Sequence, residues 1–287
     1  MGRGLSVESQ ALSVRIMDVF AQEHPNSPRR VAYALFGNQA GVMASKIGKL
    51  CGRLIERDEL PLDWYDDSSR AYVKPYVVED MDAMVDLNRG VPNFDPWASQ
   101  PVRVVVWSEK AVGGTLKPVL DQYAVPFLNT SGWNSLKMMM EEARRARIDP
   151  RRLVILYVGD HDACGLRMSA ADIPTRFAKY GALPSDWEIR RVAITRTDFE
   201  TMRSRGLTDT IKDKDPNKVW YVKNTGLHVG VELETLPAPE LRKRVYTAVR
   251  ACIEDRAAWN RVKTASEAVR ASWEAYVDHW PRPHVSI

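Results

Sequence analysis

The sequence predicts an α/β protein in which a small helical domain precedes a domain built on a mostly parallel β-sheet. Between residues 103 and 194, short apolar runs alternate with segments whose apolar residues have helical spacing, as in βαβ units. Two of the apolar runs end in acidic residues, one at Glu109 and the other at Asp160 and Asp162. The 287 residues are 45% hydrophobic and 27% charged, an ordinary globular composition that is sufficient for two domains.

The pattern of residues 1–95 predicts a winged helix-turn-helix, a fold that places one helix in a DNA groove. The predicted elements are helices at 12–21, from 29 and at 40–58, followed by a wing of extended segments at 60–65 and 70–76. Ser27 is suited to cap the second helix and Pro28 to occupy its first turn. The third helix has an apolar stripe and a basic outer face. The alternative interpretation is a small helical domain whose basic face is simply solvated.

Residues 100–287 predict the sheet domain with a C-terminal helical extension, after a linker near 90–100. In chain order we expect strand 103–108, helix 113–123, strand 125–129, helix 134–147, strand 152–158, helix 164–180, strand 187–194 and helix 240–258, with one further helix near the end. Strands joined through helices in this way form right-handed crossovers, which make the sheet mostly parallel.

Charge and cysteine content narrow the class of protein. The formal net charge of +4 permits a polyanionic partner without requiring one. The three cysteines, Cys51, Cys164 and Cys252, are widely spaced, which favours reduced thiols in a cytoplasmic protein. No apolar stretch reaches the roughly 18 residues that cross a bilayer, so we expect no membrane association through a spanning helix.

The acidic residues at the two strand ends predict a metal site. Asp160 and Asp162 are one residue apart, so in an extended segment their side chains point the same way. Parallel strands bring their carboxyl ends to one edge of the sheet, where Glu109 joins them as a third ligand or as a general base. Converging carboxylates repel unless a cation lies between them, and Mg²⁺, or alternatively Mn²⁺, suits oxygen ligands. His161 points away by the same alternation and is expected to be structural.

Residues 107–165 resemble the Toprim domain, which is shared by topoisomerases, bacterial primases and several nucleases. The signature of that domain is a glutamate after one strand and Asp-x-Asp after a later one. The run Gly-Asp-His-Asp-Ala-Cys-Gly at residues 159–165 is similar to its Gly-Asp-x-Asp-x-x-Gly form. The resemblance implies that Glu109, Asp160 and Asp162 hold magnesium beside the scissile phosphate of a nucleic acid.

Residues 28–70 resemble the winged-helix domain that precedes Toprim in topoisomerase VI A subunits, the family that includes the meiotic double-strand-break transesterases, and in its small standalone bacterial and phage relatives. In that family a tyrosine attacks the DNA phosphate, and Tyr33 is the matching position, although Ala32 stands where another aromatic residue is usual. The resemblance implies magnesium-dependent cleavage of double-stranded DNA through a phosphotyrosyl link, with Arg29 or Arg30 clamping the phosphate. It also implies a homodimer, since in the relatives the tyrosine of one subunit meets the metal of another.

Three questions stay open at the level of sequence. Glu232 and Glu234 resemble an acidic segment of the standalone relatives and either bind a second metal or face solvent. A hydrolytic Toprim nuclease without a tyrosine adduct, or a DNA-binding and assembly module that does not cleave, are the alternatives to transesterification. ATP-driven strand passage would need a separate ATPase subunit, because the chain has no Gly-x-x-x-x-Gly-Lys loop. The implied location is the bacterial nucleoid, or the host cytoplasm for a phage-encoded protein.

Overall fold

A computed structural model describes residues 6–66, 81–89, 94–130 and 136–279 and contains a four-stranded parallel sheet. The strands of this sheet are β1 (Val102–Ser108), β2 (Phe127–Asn129), β3 (Arg152–Val158) and β4 (Trp187–Ala193). They lie in the order β2-β1-β3-β4, and each neighbouring pair is parallel. The predicted α/β class is therefore confirmed, and the two strands that end in acidic residues, β1 and β3, are direct neighbours.

Helices precede the sheet, connect its strands and cover it. The α-helices of the described residues are α1 (Val7–Gln22), α2 (Pro28–Phe36), α3 (Ala40–Ile55), α4 (Met81–Arg89), α5 (Gly113–Tyr123), α6 (Leu136–Ile148), α7 (Ala163–Arg167), α8 (Ile173–Lys179), α9 (Arg196–Ser204), α10 (Lys218–Thr225), α11 (Ala238–Ala251) and α12 (Arg256–Asp278). Two short strands, β5 (Asp209–Thr210) and β6 (Val229–Gly230), pair antiparallel. No helix of these ranges is both long and apolar enough to cross a membrane.

The central strands are apolar on both faces because helices pack on both sides of the sheet. Val104 and Val106 of β1 lie in one core, which includes side chains of α5 and α11. Val105 and Trp107 point the other way, into a core shared with α6 and α8. Burial of each aliphatic side chain contributes about 1.5–3 kcal/mol, so both layers hold the sheet firmly. The strand ends that follow are thereby fixed in space.

Two predicted helices are interrupted. The helix expected over 164–180 contains a π-helical turn at Met168–Asp172, between α7 and α8. The helix expected over 240–258 ends at α11, and α12 begins after Asp255, whose side chain accepts a hydrogen bond from the backbone N–H of Ala258. The N-cap at Asp255 begins a separate helix, which the apolar spacing alone does not reveal.

The N-terminal helices α1, α2 and α3 share a hydrophobic core. Ser27 caps α2 by accepting a hydrogen bond from Arg30 N–H, and Pro28 lies in the first turn. The wing is not confirmed. Residues Leu62–Trp64 form a 3-10 turn instead of a strand, and Tyr65 forms an isolated parallel bridge with Asn26. The second expected wing segment, 70–76, lies outside the described residues.

The N-terminal helices contact the carboxyl edge of the sheet domain. Helix α2 packs on the 3-10 turn Leu233–Thr235, and the carboxylate of Glu23 accepts a hydrogen bond from Ala238 N–H. Thr115 of α5 donates to Asp66 Oδ2 at 3.1 Å. The predicted boundary near residue 95 therefore separates two parts of the sequence that pack against each other in the folded chain.

Candidate metal centre

Three carboxylates converge at the carboxyl edge of the sheet, where the sequence predicted them. Glu109 follows β1, and Asp160 and Asp162 follow the adjacent strand β3. One ligand oxygen from each of the three lies within 4.8 Å of the others. Opposite ligands of one Mg²⁺ are about 4.2 Å apart, so small side-chain rotations bring all three onto a single ion. We call these three residues the acidic triad.

Each carboxylate of the acidic triad is oriented by a backbone N–H. Glu109 Oε1 accepts from Asp160 N–H at 3.0 Å, and Asp160 Oδ1 accepts from Leu233 N–H at 2.7 Å. Asp162 Oδ1 accepts from Gly165 N–H at 2.7 Å and so caps α7. In each residue the backbone hydrogen bond fixes one oxygen, and in Asp160 the second oxygen contacts Lys110 Nζ. This is the arrangement expected of ligands held in place before an ion binds.

Glycines make room for the triad. A Cβ at Gly165 would lie 2.4 Å from Glu109 Oε1 and 2.5 Å from the carbonyl oxygen of Asp160. A Cβ at Gly230, on β6, would lie 2.8 Å from Asp162 Cβ. All three separations are shorter than real contacts allow, so any side chain here would displace a candidate ligand.

The pKa values of all three triad carboxyl groups are raised. Burial, reinforced by Asp162, raises the pKa of Glu109 to about 7. Burial also raises the pKa of Asp160 well above its usual range, although Lys110 opposes the rise, and burial raises the pKa of Asp162. A raised pKa means that these carboxylates hold their protons more tightly than free ones, so a bound metal would have to displace protons and its affinity would depend on pH near neutrality. The donor set, all carboxylate oxygen, fits Mg²⁺ or Mn²⁺.

Lys110, the residue after Glu109, contacts the triad directly. Its Nζ lies 2.7 Å from Asp160 Oδ2 and 3.8 Å from Glu234 Oε2. Burial disfavours the ammonium form, but Asp160 and Glu234 outweigh burial and raise the pKa of Lys110. The sequence interpretation overlooked this residue, although its place immediately after a strand-end glutamate is visible in the sequence.

The second acidic pair, Glu232 and Glu234, does not join the triad among the described residues. Glu232 forms an ion pair with Arg29, whose Nε donates to Glu232 Oε2 at 2.6 Å. Glu234 faces Lys110. The two carboxylates are therefore bound by side-chain cations in this arrangement, and the choice between a second metal and exposure to solvent stays a prediction.

Tyr33 contacts Glu232, one of the two carboxylates of the second acidic pair, within its own chain. It is 9% exposed, and its hydroxyl donates to Glu232 Oε2 at 2.7 Å and lies 3.2 Å from Asp209 Oδ2. Burial and the hydrogen bond to Glu232 raise the pKa of Tyr33. In this arrangement the phenol is held in its neutral form and is not prepared for attack.

Arg30, the second arginine predicted to bind the substrate phosphate, is buried near the contact between α2 and the sheet domain. The residue is 4% exposed, and its guanidinium nitrogens have no hydrogen-bond partner within the described part of the chain. Burial lowers the pKa of Arg30, while the negative charges of Glu234, Glu23 and Asp66 oppose that effect. Arg30 therefore compensates buried acidic charge, whereas Arg29 is the more exposed of the two arginines.

A partly buried arginine that the sequence interpretation missed supports the loop between β3 and α7. Arg191, on β4, donates to the carbonyl oxygens of Gly159, Asp160, Ile194 and Gly165 and to Ser169 Oγ. An arginine inside a strand of a buried sheet is the signal that reveals such a role. Arg191 fixes the backbone from which Asp160 and Asp162 project.

His161, between the two aspartates, is structural as the strand alternation predicted. Its ring is buried, packs on Phe199 at 4.8 Å between ring centroids, and lies 3.2 Å from the Tyr221 hydroxyl through Nδ1. Burial, assisted by Arg191, lowers the pKa of His161 to about 4, so the ring is neutral at physiological pH. His161 thus adds no charge to the centre.

The acidic triad is therefore a candidate metal site beside the contact with α2. Lys110 contacts the triad directly, and Arg191 supports its backbone. Comparison of the chain with protein-family models, with curated proteins and with solved structures finds no match in any of the three.

Proposed function

We propose that this chain is a magnesium-dependent, Toprim-like enzyme that cleaves phosphodiester bonds of double-stranded DNA. The observation that carries the proposal is the convergence of Glu109, Asp160 and Asp162 at adjacent parallel strand ends, each held by a backbone N–H. The resemblance to the Toprim signature, Glu109 followed by Gly-Asp-His-Asp, adds the link to nucleic-acid phosphates.

The chemistry follows from the residues present. A bound Mg²⁺ would act as a Lewis acid toward phosphate oxygens and toward a water molecule. Glu109, Asp160 and Asp162 supply its ligands. In hydrolysis a water oxygen forms a new bond to phosphorus while the bond to one sugar oxygen breaks. One water proton ends on the departing sugar hydroxyl, and the other stays on the new phosphate monoester or enters solvent.

Two nucleophiles are compatible with this centre. Water is favoured in the observed arrangement, because the Tyr33 hydroxyl is buried and bound to Glu232. Tyrosine transesterification is the second candidate, since Tyr33 lies beside the same acidic face and Arg29 is placed next to it. For Tyr33 to attack, its hydroxyl must leave Glu232 and Asp209. In the family this attack occurs across a homodimer, and strand passage would require a separate ATPase subunit.

The basic face of α3 supports a DNA partner. Lys49 and Arg53 are exposed on this helix, and Arg57 extends the same basic run just beyond its end. Lys46 is paired with Glu8, so it contributes less to the local positive charge. We infer that α3 contacts the phosphate backbone, in which case binding weakens steeply as salt increases.

The test is cleavage of supercoiled plasmid with Mg²⁺ or Mn²⁺ by the wild type and by Asp162→Asn and Tyr33→Phe. Asparagine keeps an Oδ1 that can cap α7 but removes a ligand charge, so we expect about a 100-fold loss of cleavage or more. Asp121→Asn is the matched control, because Asp121 is exposed on α5 and pairs only with Lys117 among the ion pairs seen. Circular dichroism verifies folding of each variant.

The outcomes separate the alternatives. Cleavage that survives Tyr33→Phe without a covalent protein–DNA adduct supports the hydrolytic nuclease. A phenol-extractable adduct that disappears in Tyr33→Phe supports transesterification. Salt-sensitive duplex binding with no cleavage at any metal concentration, with or without a partner ATPase, refutes the proposed enzyme and leaves the DNA-binding and assembly module.

A further inference from the structure

Lys110 occupies a specific position between two acidic groups. Its ammonium lies 2.7 Å from Asp160 Oδ2 and 3.8 Å from Glu234 Oε2, and 23% of its side chain is exposed. The Oε2 atom of Glu234 is buried and has no hydrogen-bond partner within the described residues. The ammonium is therefore the ion-pair partner of Glu234 within the described residues, beside the more distant charge of Arg30, and its side chain is still partly exposed.

The arrangement resembles a two-metal site in which the Lys110 ammonium occupies the position of one metal ion. In two-metal phosphodiester sites the ions are about 3.5–4 Å apart and share a carboxylate. Asp160 is the carboxylate in a position to be shared, because it belongs to the triad and also binds Lys110. Glu234 Oε2 lies 3.8 Å from the Lys110 ammonium and is the carboxylate that a second ion would use. Lys110 thus lies where a second divalent ion would otherwise be held.

We propose that Lys110 is the built-in second cation of a one-metal phosphodiester site: it excludes a second divalent ion and binds a non-bridging oxygen of the substrate phosphate. This inference rests on the proposed function. Lys110 transfers no proton in this role, because it acts only by its fixed positive charge. Arg29 does not substitute for it, since its guanidinium is bound to Glu232.

The experiment counts bound Mn²⁺ per chain at pH 8 by equilibrium dialysis and electron paramagnetic resonance, without DNA. We expect one tight Mn²⁺ in the wild type and in Lys110→Arg, which keeps the charge. Lys110→Met keeps the length of the side chain and removes the charge, so we expect it to bind two. Adding Glu234→Gln to Lys110→Met should return the count to one. Lys117→Met, at an exposed lysine of α5, is the matched control.

Cleavage gives a second readout. Lys110→Met should lose about 100-fold in plasmid cleavage at low Mn²⁺ concentration. Its remaining activity should rise with roughly the square of the Mn²⁺ concentration, whereas wild-type activity rises linearly.

The outcomes distinguish this inference from the proposed function. Two tight ions in the wild type, or one in Lys110→Met, overturn the role of Lys110 while a metal-dependent enzyme still stands. No Mn²⁺ in either protein overturns both. One ion in the wild type and two in Lys110→Met support the role of Lys110 even if no DNA substrate is cleaved.

Discussion

Replacing Glu109 with glutamine should stabilise the metal-free protein above neutral pH. Burial, with help from Asp162, raises the pKa of Glu109 from 4.5 to about 7. Because the folded-state pKa lies above the unfolded one, the stability from this group is present below pH 4.5 and is lost as the pH rises through 7. Glutamine keeps an oxygen that accepts the Asp160 N–H, at 3.0 Å in the wild type, and removes the charge.

The magnitude follows from the two pKa values. The interval from 4.5 to about 7 corresponds to roughly 3 kcal/mol once Glu109 is fully ionised. Since the side chain keeps some solvent contact, we expect Glu109→Gln to raise the free energy of unfolding by about 1–3 kcal/mol at pH 8 in EDTA. At pH 5 most Glu109 in the folded protein is already protonated, so the expected gain is below about 1 kcal/mol.

Urea unfolding followed by circular dichroism, at pH 5 and pH 8 and with EDTA or Mn²⁺, measures these differences. A ligand at 100 times its Kd stabilises by about 2.7 kcal/mol, so Mn²⁺ should stabilise the wild type more than Glu109→Gln and reverse their order. Glu267→Gln, at an exposed position of α12, is the control and should change little. If Glu109→Gln is less stable than the wild type in EDTA at pH 8, the argument from buried, repelling carboxylates is wrong.

Three further predictions concern the same centre. Mn²⁺ affinity should fall about tenfold between pH 8 and pH 6, because Glu109, with a pKa of about 7, must lose its proton to bind; a flat profile in dialysis contradicts this. Gly165→Ala should abolish Mn²⁺ binding and cost about 1–3 kcal/mol, whereas Gly52→Ala, with open space around the added methyl, should preserve both. Arg191→Met should lower the free energy of unfolding by roughly 3 kcal/mol, since it removes the charged hydrogen bonds to the Gly159 and Gly165 carbonyl oxygens, each of which keeps one other donor; a loss below about 1 kcal/mol would refute that role.

The strands and the triad were predictable because their signals are local. An apolar run such as β3 is long enough to identify a buried strand, and the residue that follows it is known to within one position. Parallel pairing then places Glu109 and Asp160 at one edge without further information. Ser27 and Pro28 identified the start of α2 by the same kind of local chemistry.

The remaining contacts depend on residues far apart in sequence. Tyr33 meets Glu232, 199 positions away, and no periodicity reports such a pairing. The extended wing segment at 60–65 was predicted from composition, but its backbone bonds instead to the turn before α2, where Asn26 N–H donates to the Trp64 carbonyl. Tertiary hydrogen bonds of this kind override local preference, and only the folded chain displays them.

Cations from two parts of the chain pair with the carboxylates in and beside the acidic triad. These ion pairs connect the candidate metal site to the N-terminal helices. Lys110, from the sheet domain, neutralises Asp160 and Glu234, whereas Arg29, from α2, neutralises Glu232. A DNA phosphate that approaches the centre offers Arg29 a competing anion, and a bidentate arginine–phosphate pair is as strong as the pair it replaces. Loss of Arg29 from Glu232 also removes the cation beside the carboxylate that holds Tyr33. Under the proposed function, we therefore expect DNA binding to loosen the contact between α2 and the sheet domain with either of the two candidate nucleophiles.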